Sequence, residues 1–186
     1  MNTGPPGESC PAPFAAGGEH GALAMFLYLI RHAEAVELGT PGAARDFDRA
    51  LTPHGHKQSR ALAEAFVRLN LSVDAVVASP LVRAHQTAVE LLNVWQPGGR
   101  VVTCDQLTPE RLKPVKLSEF LAAVPGERVA AVGHMPELGA YLEWLIGAAE
   151  GSIPMAKTAV ACVELPGDPR KATGALRWLV TPDWFM

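Results

Sequence analysis

Strand-like apolar runs and helix-periodic stretches take turns along this chain from Phe26 to Val180, which leaves few architectures open to it. Phe26 to Arg31 reads as a strand, its five apolar residues running straight into Arg31 and His32. Residues 52–69 read as a helix, with Thr52 placed to cap it and Pro53 suited to its first turn. Leu62, Ala65, Phe66 and Leu69 follow the i, i+3, i+4, i+7 spacing of one buried face. Val73 to Ala78 reads as a second strand. "SPLVRAHQTAVELL" then repeats the device, with Ser79 as cap, Pro80 as the first helical residue and a helix to about Val94.

A short strand is expected at Val101 to Cys104 and a helix from Val115 to Val124, stopped by Pro125-Gly126. Arg128 to Gly133 has the continuous apolar middle of a centrally placed strand. "HMPELGAYLEWLIG" is a helix with Leu138, Tyr141, Leu142, Leu145 and Ile146 inward, closed by Gly147. Strands near Thr158 to Leu165 and Ala175 to Val180, joined by the polar turn "PGDPRKATG", finish the chain. This order predicts an α/β fold with a mostly parallel sheet covered on both faces. With 186 residues, 48% of them hydrophobic, the chain suits one domain with a substantial core, assigned to 25–186. Residues 36–50 and 104–114 are the two loops with room to shape a site.

Residues 1–24 differ in kind: proline and glycine dominate and no Lys or Arg occurs. They read as a disordered tail, with Met25 as an alternative start of translation. The missing basic residues disfavour a secretory signal, and the apolar run from Ala22 to Ile30 is too short to cross a bilayer. A net charge of −3 and an isoelectric point near 6.1 argue against a nucleic-acid partner. Cys10, Cys104 and Cys162 are far apart and fit neither a disulfide framework nor a CxxC metal site. Buried thiols at Cys104 and Cys162 and a reducing cytoplasm are expected.

Three strand ends carry chemistry. Arg31-His32 ends the first, Arg83 lies in the first helical turn after Ser79-Pro80, and His134 ends "VAAVGH" just before Pro136. In a doubly wound sheet such ends meet on one rim, where helix N-termini add N–H donors and partial positive charge. Two guanidinium groups, two imidazoles and helix starts make a phosphate-sized positive pocket, arginine supplying planar paired donors. No DxD cluster, HExxH or Walker loop is present, and neither a metal nor another cofactor is expected.

"LIRHAEA", "LTPHGHKQSRALAEAF", "VVASPLVRAHQTAVEL" and "VGHMPELG" resemble, in order and spacing, the histidine phosphatase (phosphoglycerate mutase-like) superfamily. The shortness of the chain, "QLTPE" and "GHMPELG" point to its SixA-like branch of small phosphohistidine phosphatases. The resemblance implies a three-layer αβα sandwich without a cap domain. It also implies roles: His32 as the nucleophile that becomes phosphorylated, and Arg31, Arg83 and His134 as holders of the phosphoryl oxygens. Fixed cations of this kind stabilise the charge spread over the equatorial oxygens during in-line transfer. Neighbouring cations also favour the neutral imidazole that can attack.

A general acid is harder to assign. Met135 and Pro136 follow His134, so no carboxylate stands directly after it; Glu110, in the "TPE" loop, and Glu34 are the local candidates. A phosphoramidate relaxes the need, because an imidazole leaving group can already carry its proton while an alkoxide must be given one. Ser79 reads as a helix cap that can also offer its amide to phosphate. Gln86 and Thr87 fit packing as well as a site role. His54 and His56 form an HxH pair that points apart on a helix and reads as a solvated first turn; His85 is expected to be exposed and His20 lies in the tail. Arg45, Asp46 and Asp48 read as a solvated loop, with Arg45 in reach of a substrate. Trp178 and Trp184 are expected to cover the sheet edge.

The expected activity is a metal-independent phosphatase acting on phosphohistidine in a protein, either a phosphotransfer domain or a phosphotransferase-system protein. A phosphatase of small phosphorylated metabolites and a phosphate-recognition module without turnover are the alternatives. The intact His32 speaks against the module, since binding needs only the arginines. No membrane partner is expected.

Overall fold

The computed structural model describes residues 24–96 and 98–186. The expected tail, with Cys10 and His20, lies outside the described residues apart from Ala24. The chain runs β1 (Met25–Arg31), α1 (Pro53–Arg68), β2 (Ala75–Ala78), α2 (Val82–Trp95), β3 (Val102–Thr103), α3 (Pro114–Ala122), β4 (Arg128–Gly133), α4 (Glu137–Ile146), β5 (Val160–Leu165) and β6 (Ala175–Val180). One six-stranded sheet has the order β3-β2-β4-β1-β5-β6. Pairings among β1 to β4 are parallel; β5 lies antiparallel to β1, and β6 antiparallel to β5.

The apolar run of β1 is explained by burial on two faces. Leu27 and Leu29 join Leu138, Tyr141, Leu142 and Leu145 of α4 and Leu117 and Leu121 of α3. Tyr28 and Ile30 face the other way, into Leu62 and Phe66 of α1 and Ala84, Ala88 and Leu91 of α2. This is the period-2 alternation of a strand with helices on both sides, and the αβα layering is as expected. Phe66 anchors its layer edge-on to Tyr28 (ring centroids 5.0 Å) and against Trp95 (4.8 Å). Burying one such ring contributes about 2–3 kcal/mol.

Helix ends show where local signals held. Thr52 caps α1 by accepting from the Gly55 N–H, and Gly147 ends α4 in the left-handed region (φ 71°). Ser79 is not a cap: α2 begins at Val82, after Leu81, and lacks a side-chain cap. The residues Ser79 to Leu81 instead carry the chain off the sheet before the helix can start. Leu69, expected inward, lies past the end of α1 and is 65% exposed. Trp178 packs against Tyr28 and Phe66, but Trp184 is 80% exposed and covers little of the edge. Cys104 and Cys162 are buried free thiols. Among the described residues no helix is long and apolar enough to cross a membrane.

Candidate active site

The carboxyl ends of β1, β2 and β4 lie side by side, and backbone bonds continue past them. His32 N donates to Gly133 O (3.0 Å), Ser79 N to Val132 O (3.0 Å) and Cys104 N to Ala78 O (2.9 Å). These bonds set His32, Ser79 and His134 on one rim. Arg83 reaches the same place from the first turn of α2.

The four residues expected from sequence converge there. Arg83 Nε donates to His32 Nε2 at 3.3 Å, and the rings of His32 and His134 are 5.0 Å apart. Arg31 donates through Nη1 to Met155 O (2.8 Å), while its buried Nε has no partner among the described residues. His32 is 7% exposed, Arg83 4% and His134 3%, so the cluster lies just beneath the surface at this rim.

Hydrogen bonding fixes the state of His32. Nδ1 lies 2.7 Å from Ala33 O, which can only accept, so Nδ1 carries the proton and Nε2 keeps its lone pair. Burial, with Arg83, Arg31 and Lys157 adding to it, pushes the imidazole down to about 3. Burial also brings His134 down to about 3, with His32 and Arg83 contributing. Both rings are therefore neutral at pH 7, and His32 presents an unprotonated Nε2.

Ser79 takes a place different from the capping role. Its Oγ accepts from Leu81 N (3.3 Å) and sits 2.9 Å from His134 Nε2. The hydroxyl has a proton to give to Nε2 and a second lone pair to accept from it; when it donates, the ring proton of His134 stands on Nδ1. Nδ1 is buried and has no partner among the described residues, so in that tautomer it is an available donor.

Thr87 braces the cluster by accepting from Ala33 N (3.1 Å) and donating to Arg83 O (2.8 Å). Gln86 accepts from Leu51 N (2.7 Å), outside the cluster. The two carboxylates considered as acids are held elsewhere. Glu34 accepts from the Thr52 hydroxyl at the start of α1 (2.7 Å). Glu110 is exposed at φ 64°, its N–H donating to Glu137 (2.9 Å). Neither makes a hydrogen bond or ion pair with the four residues. His56 is not simply solvated, since it bonds Glu90 at 2.7 Å, and His85 is half-buried.

Two residues at the rim had no role expected of them. Asp46, in a short 3₁₀ turn (Asp46–Asp48), ion-pairs with Arg83 at 2.9 Å and holds its Nη1 through the main-chain carbonyl at 2.7 Å. Arg45, the residue expected to reach a substrate, instead pairs with Asp48 in solvent (2.7 Å). Lys157 is half-buried, and its charge acts on His32. It arrives because β5 runs antiparallel to β1, starting where β1 ends; Thr158 N donates to both Arg31 O (3.1 Å) and His32 O (3.3 Å). Thr158 sits at φ 63°, a conformation a β-branched residue rarely adopts. Arg31, Arg83 and Lys157 thus surround His32 with positive charge, and Asp46 is the carboxylate paired with Arg83. Among the described residues no group of His, Cys, Asp and Glu forms a metal-binding cluster.

Residues 27–108 match the family model of the histidine phosphatase superfamily, branch 1. An uncharacterized protein of Picosynechococcus sp. is 34% identical over 125 residues, covering 64% of this chain and 72% of that one. The chain belongs to the histidine phosphatase superfamily. Another superfamily relative, the phosphohistidine phosphatase SixA of Escherichia coli, is 29% identical over 162 residues, spanning 85% of this chain and 94% of SixA. The structure of SixA complexed with tungstate superposes with a TM-score of 0.74 at 26% identity, covering 87% of this chain and 100% of that one. The superfamily fold is thus present, with the six-stranded mixed sheet and four helices described above.

Proposed function

We propose that the protein is a metal-independent phosphatase that hydrolyses phosphohistidine on another protein, through a phosphorylated His32. The observation that carries this reading is the His32 ring itself: proton pinned on Nδ1 by Ala33 O, lone pair on Nε2, and Arg83 Nε beside that lone pair.

Nε2 attacks the phosphorus in line, and the bond from phosphorus to the substrate imidazole breaks. That imidazole leaves with its own proton. Arg31, Arg83 and the His134 Nδ1–H hold the three equatorial oxygens, which supplies charge stabilisation without reorganisation. The phosphorylated His32 keeps its Nδ1–H on Ala33 O, so it is a cationic, labile leaving group. Water then attacks phosphorus, the P–Nε2 bond breaks, and phosphate, a proton and neutral His32 result.

The acid side of the site favours a phosphoramidate. Asp46 is the carboxylate nearest the cluster by hydrogen bonding, and Arg49 and Arg83 hold it below the usual carboxylate range despite its partial burial. It is ionised at neutral pH and cannot protonate an alkoxide. The similarity to SixA supports the same substrate class, and the tungstate of the SixA complex is a tetrahedral dianion of the kind these cations suit. The partner is then a phosphotransfer domain or a phosphotransferase-system protein in the cytoplasm, met by the single domain over 25–186.

Acid-quenched labelling tests the reading. Wild type mixed with a ³²P-phosphohistidine protein should yield an acid-labile, base-stable adduct, and His32→Ala should yield none. Faster turnover of an aryl phosphate than of phosphohistidine would shift the assignment to small metabolites. No hydrolysis of either would leave a binding module.

A further inference from the structure

Arg83 is almost fully buried, and the chain itself supplies an anion to it. Its side chain is 5% exposed, whereas that of its partner Asp46 is 51% exposed. On the guanidinium, Nε and Nη2 form one edge. Nε donates to His32 Nε2 at 3.3 Å, and Nη2 donates to Asp46 Oδ2 at 2.9 Å. The carboxylate oxygen therefore shares an edge with the attacking nitrogen. A phosphoryl group aligned for attack by His32 must place an oxygen on that same edge. A dianion and a carboxylate compete for the same donors there, and their like charges repel.

Asp46 has somewhere else to go. Its Oδ1 accepts from Arg49 Nη1 at 3.0 Å, and Arg49 is itself tethered through Nε to Val36 O at 2.7 Å. The carboxylate can rotate off Arg83 while remaining paired. The main-chain carbonyl of Asp46 stays with Nη1 (2.7 Å), so the short turn need not unfold.

We propose that Asp46 is an internal anion that closes the phosphate site when it is empty and is displaced by the incoming phosphoryl group. It lowers affinity for every tetrahedral oxyanion, product phosphate included, and so hastens product release. This rests on the reading that Arg83 and His32 bind the phosphoryl group.

Calorimetric titration with tungstate tests it, using wild type, Asp46→Asn, Asp46→Ala and, as a control for net charge, Asp48→Asn. Asp48 lies on the same turn but pairs with Arg45 in solvent. Both Asp46 variants should bind tungstate about tenfold more tightly, and inhibition by inorganic phosphate should tighten in parallel. Asp48→Asn should stay within about twofold of wild type, as expected for a screened, exposed charge. In a crystal of wild type with tungstate, the Asp46 carboxylate should have left Nη2. Unchanged or weaker binding by the Asp46 variants overturns the proposal, as does equal tightening by Asp48→Asn or a bound tungstate with Asp46 still on Nη2. If neither wild type nor Asp46→Ala binds tungstate, the phosphate-site reading fails along with it. If wild type binds and the variants match it, the displacement idea alone fails.

Discussion

The Nε–H of Arg83 points at Nε2 of His32 across 3.3 Å, so in the proposed mechanism one residue both orients the attacking nitrogen and flanks the phosphoryl group. One planar group performs both tasks only because its donors are fixed relative to one another. Arg83→Lys should therefore behave almost as badly as Arg83→Ala. A loss of about 10²–10³-fold in kcat is expected for each, the range for removing a preorganised transition-state donor. Steady-state kinetics on a phosphohistidine protein checks this; a lysine variant with near-normal kcat would show that charge alone suffices.

Both site imidazoles are held neutral. His32 and His134 are pushed down from 6.5 to about 3, chiefly by burial. Their ring-proton resonances should show no titration between pH 8 and pH 5, with assignment by His32→Asn and His134→Asn. The same shifts set a stability trend. Below about pH 6.5 the unfolded chain binds protons at these two rings and the folded one does not. Stability should fall as pH drops from 6.5 toward 3, and His134→Asn should flatten that slope in urea titrations.

Ser79 fixes His134 through the 2.9 Å contact to Nε2. Ser79→Ala frees the ring to turn its donor away from the phosphoryl oxygens. About a tenfold fall in kcat is expected, with the thermal midpoint lowered by only a few degrees, as for one neutral hydrogen bond. Ser79→Thr should restore part of the rate. A variant that loses stability while keeping kcat would make Ser79 a packing residue.

Gly55 is required by close approach. A Cβ there would overlap the Glu34 carbonyl oxygen, which also accepts from Thr52 N at 3.0 Å. Gly55→Ala must push α1 away from the segment that follows His32. A cost of about 1–3 kcal/mol is expected by chemical denaturation, together with reduced activity, since His32 lies two residues upstream of Glu34.

The residues that announced themselves in the sequence stand at element boundaries. Arg31, His32 and His134 end apolar strand runs, and Arg83 falls in a helix start; the rule that strand ends of a doubly wound sheet meet on one rim brought them together, and the resemblance supplied their roles. Asp46 sits between β1 and α1 in a stretch with no period, where only three-dimensional contact distinguishes a gripped carboxylate from a solvated one. Lys157 depended on the direction of β5, which a strand pattern does not encode. Ser79-Pro80 carried an ordinary helix-start signature, but the chain needs two further residues to leave the sheet before α2 turns. The competing hydrogen bond to His134 was invisible for the same reason as Asp46.

β1 is paired on both sides, with β4 and with β5, and covered on both faces. Amides of such a strand open only when the whole molecule does. His32 is thus rooted in the longest-lived part of the structure, while Asp46 belongs to an exposed outer turn. Heating should then silence turnover at the global melting temperature and not before it. Substitutions in the outer turn, by contrast, should change what binds at the rim while leaving that melting temperature in place.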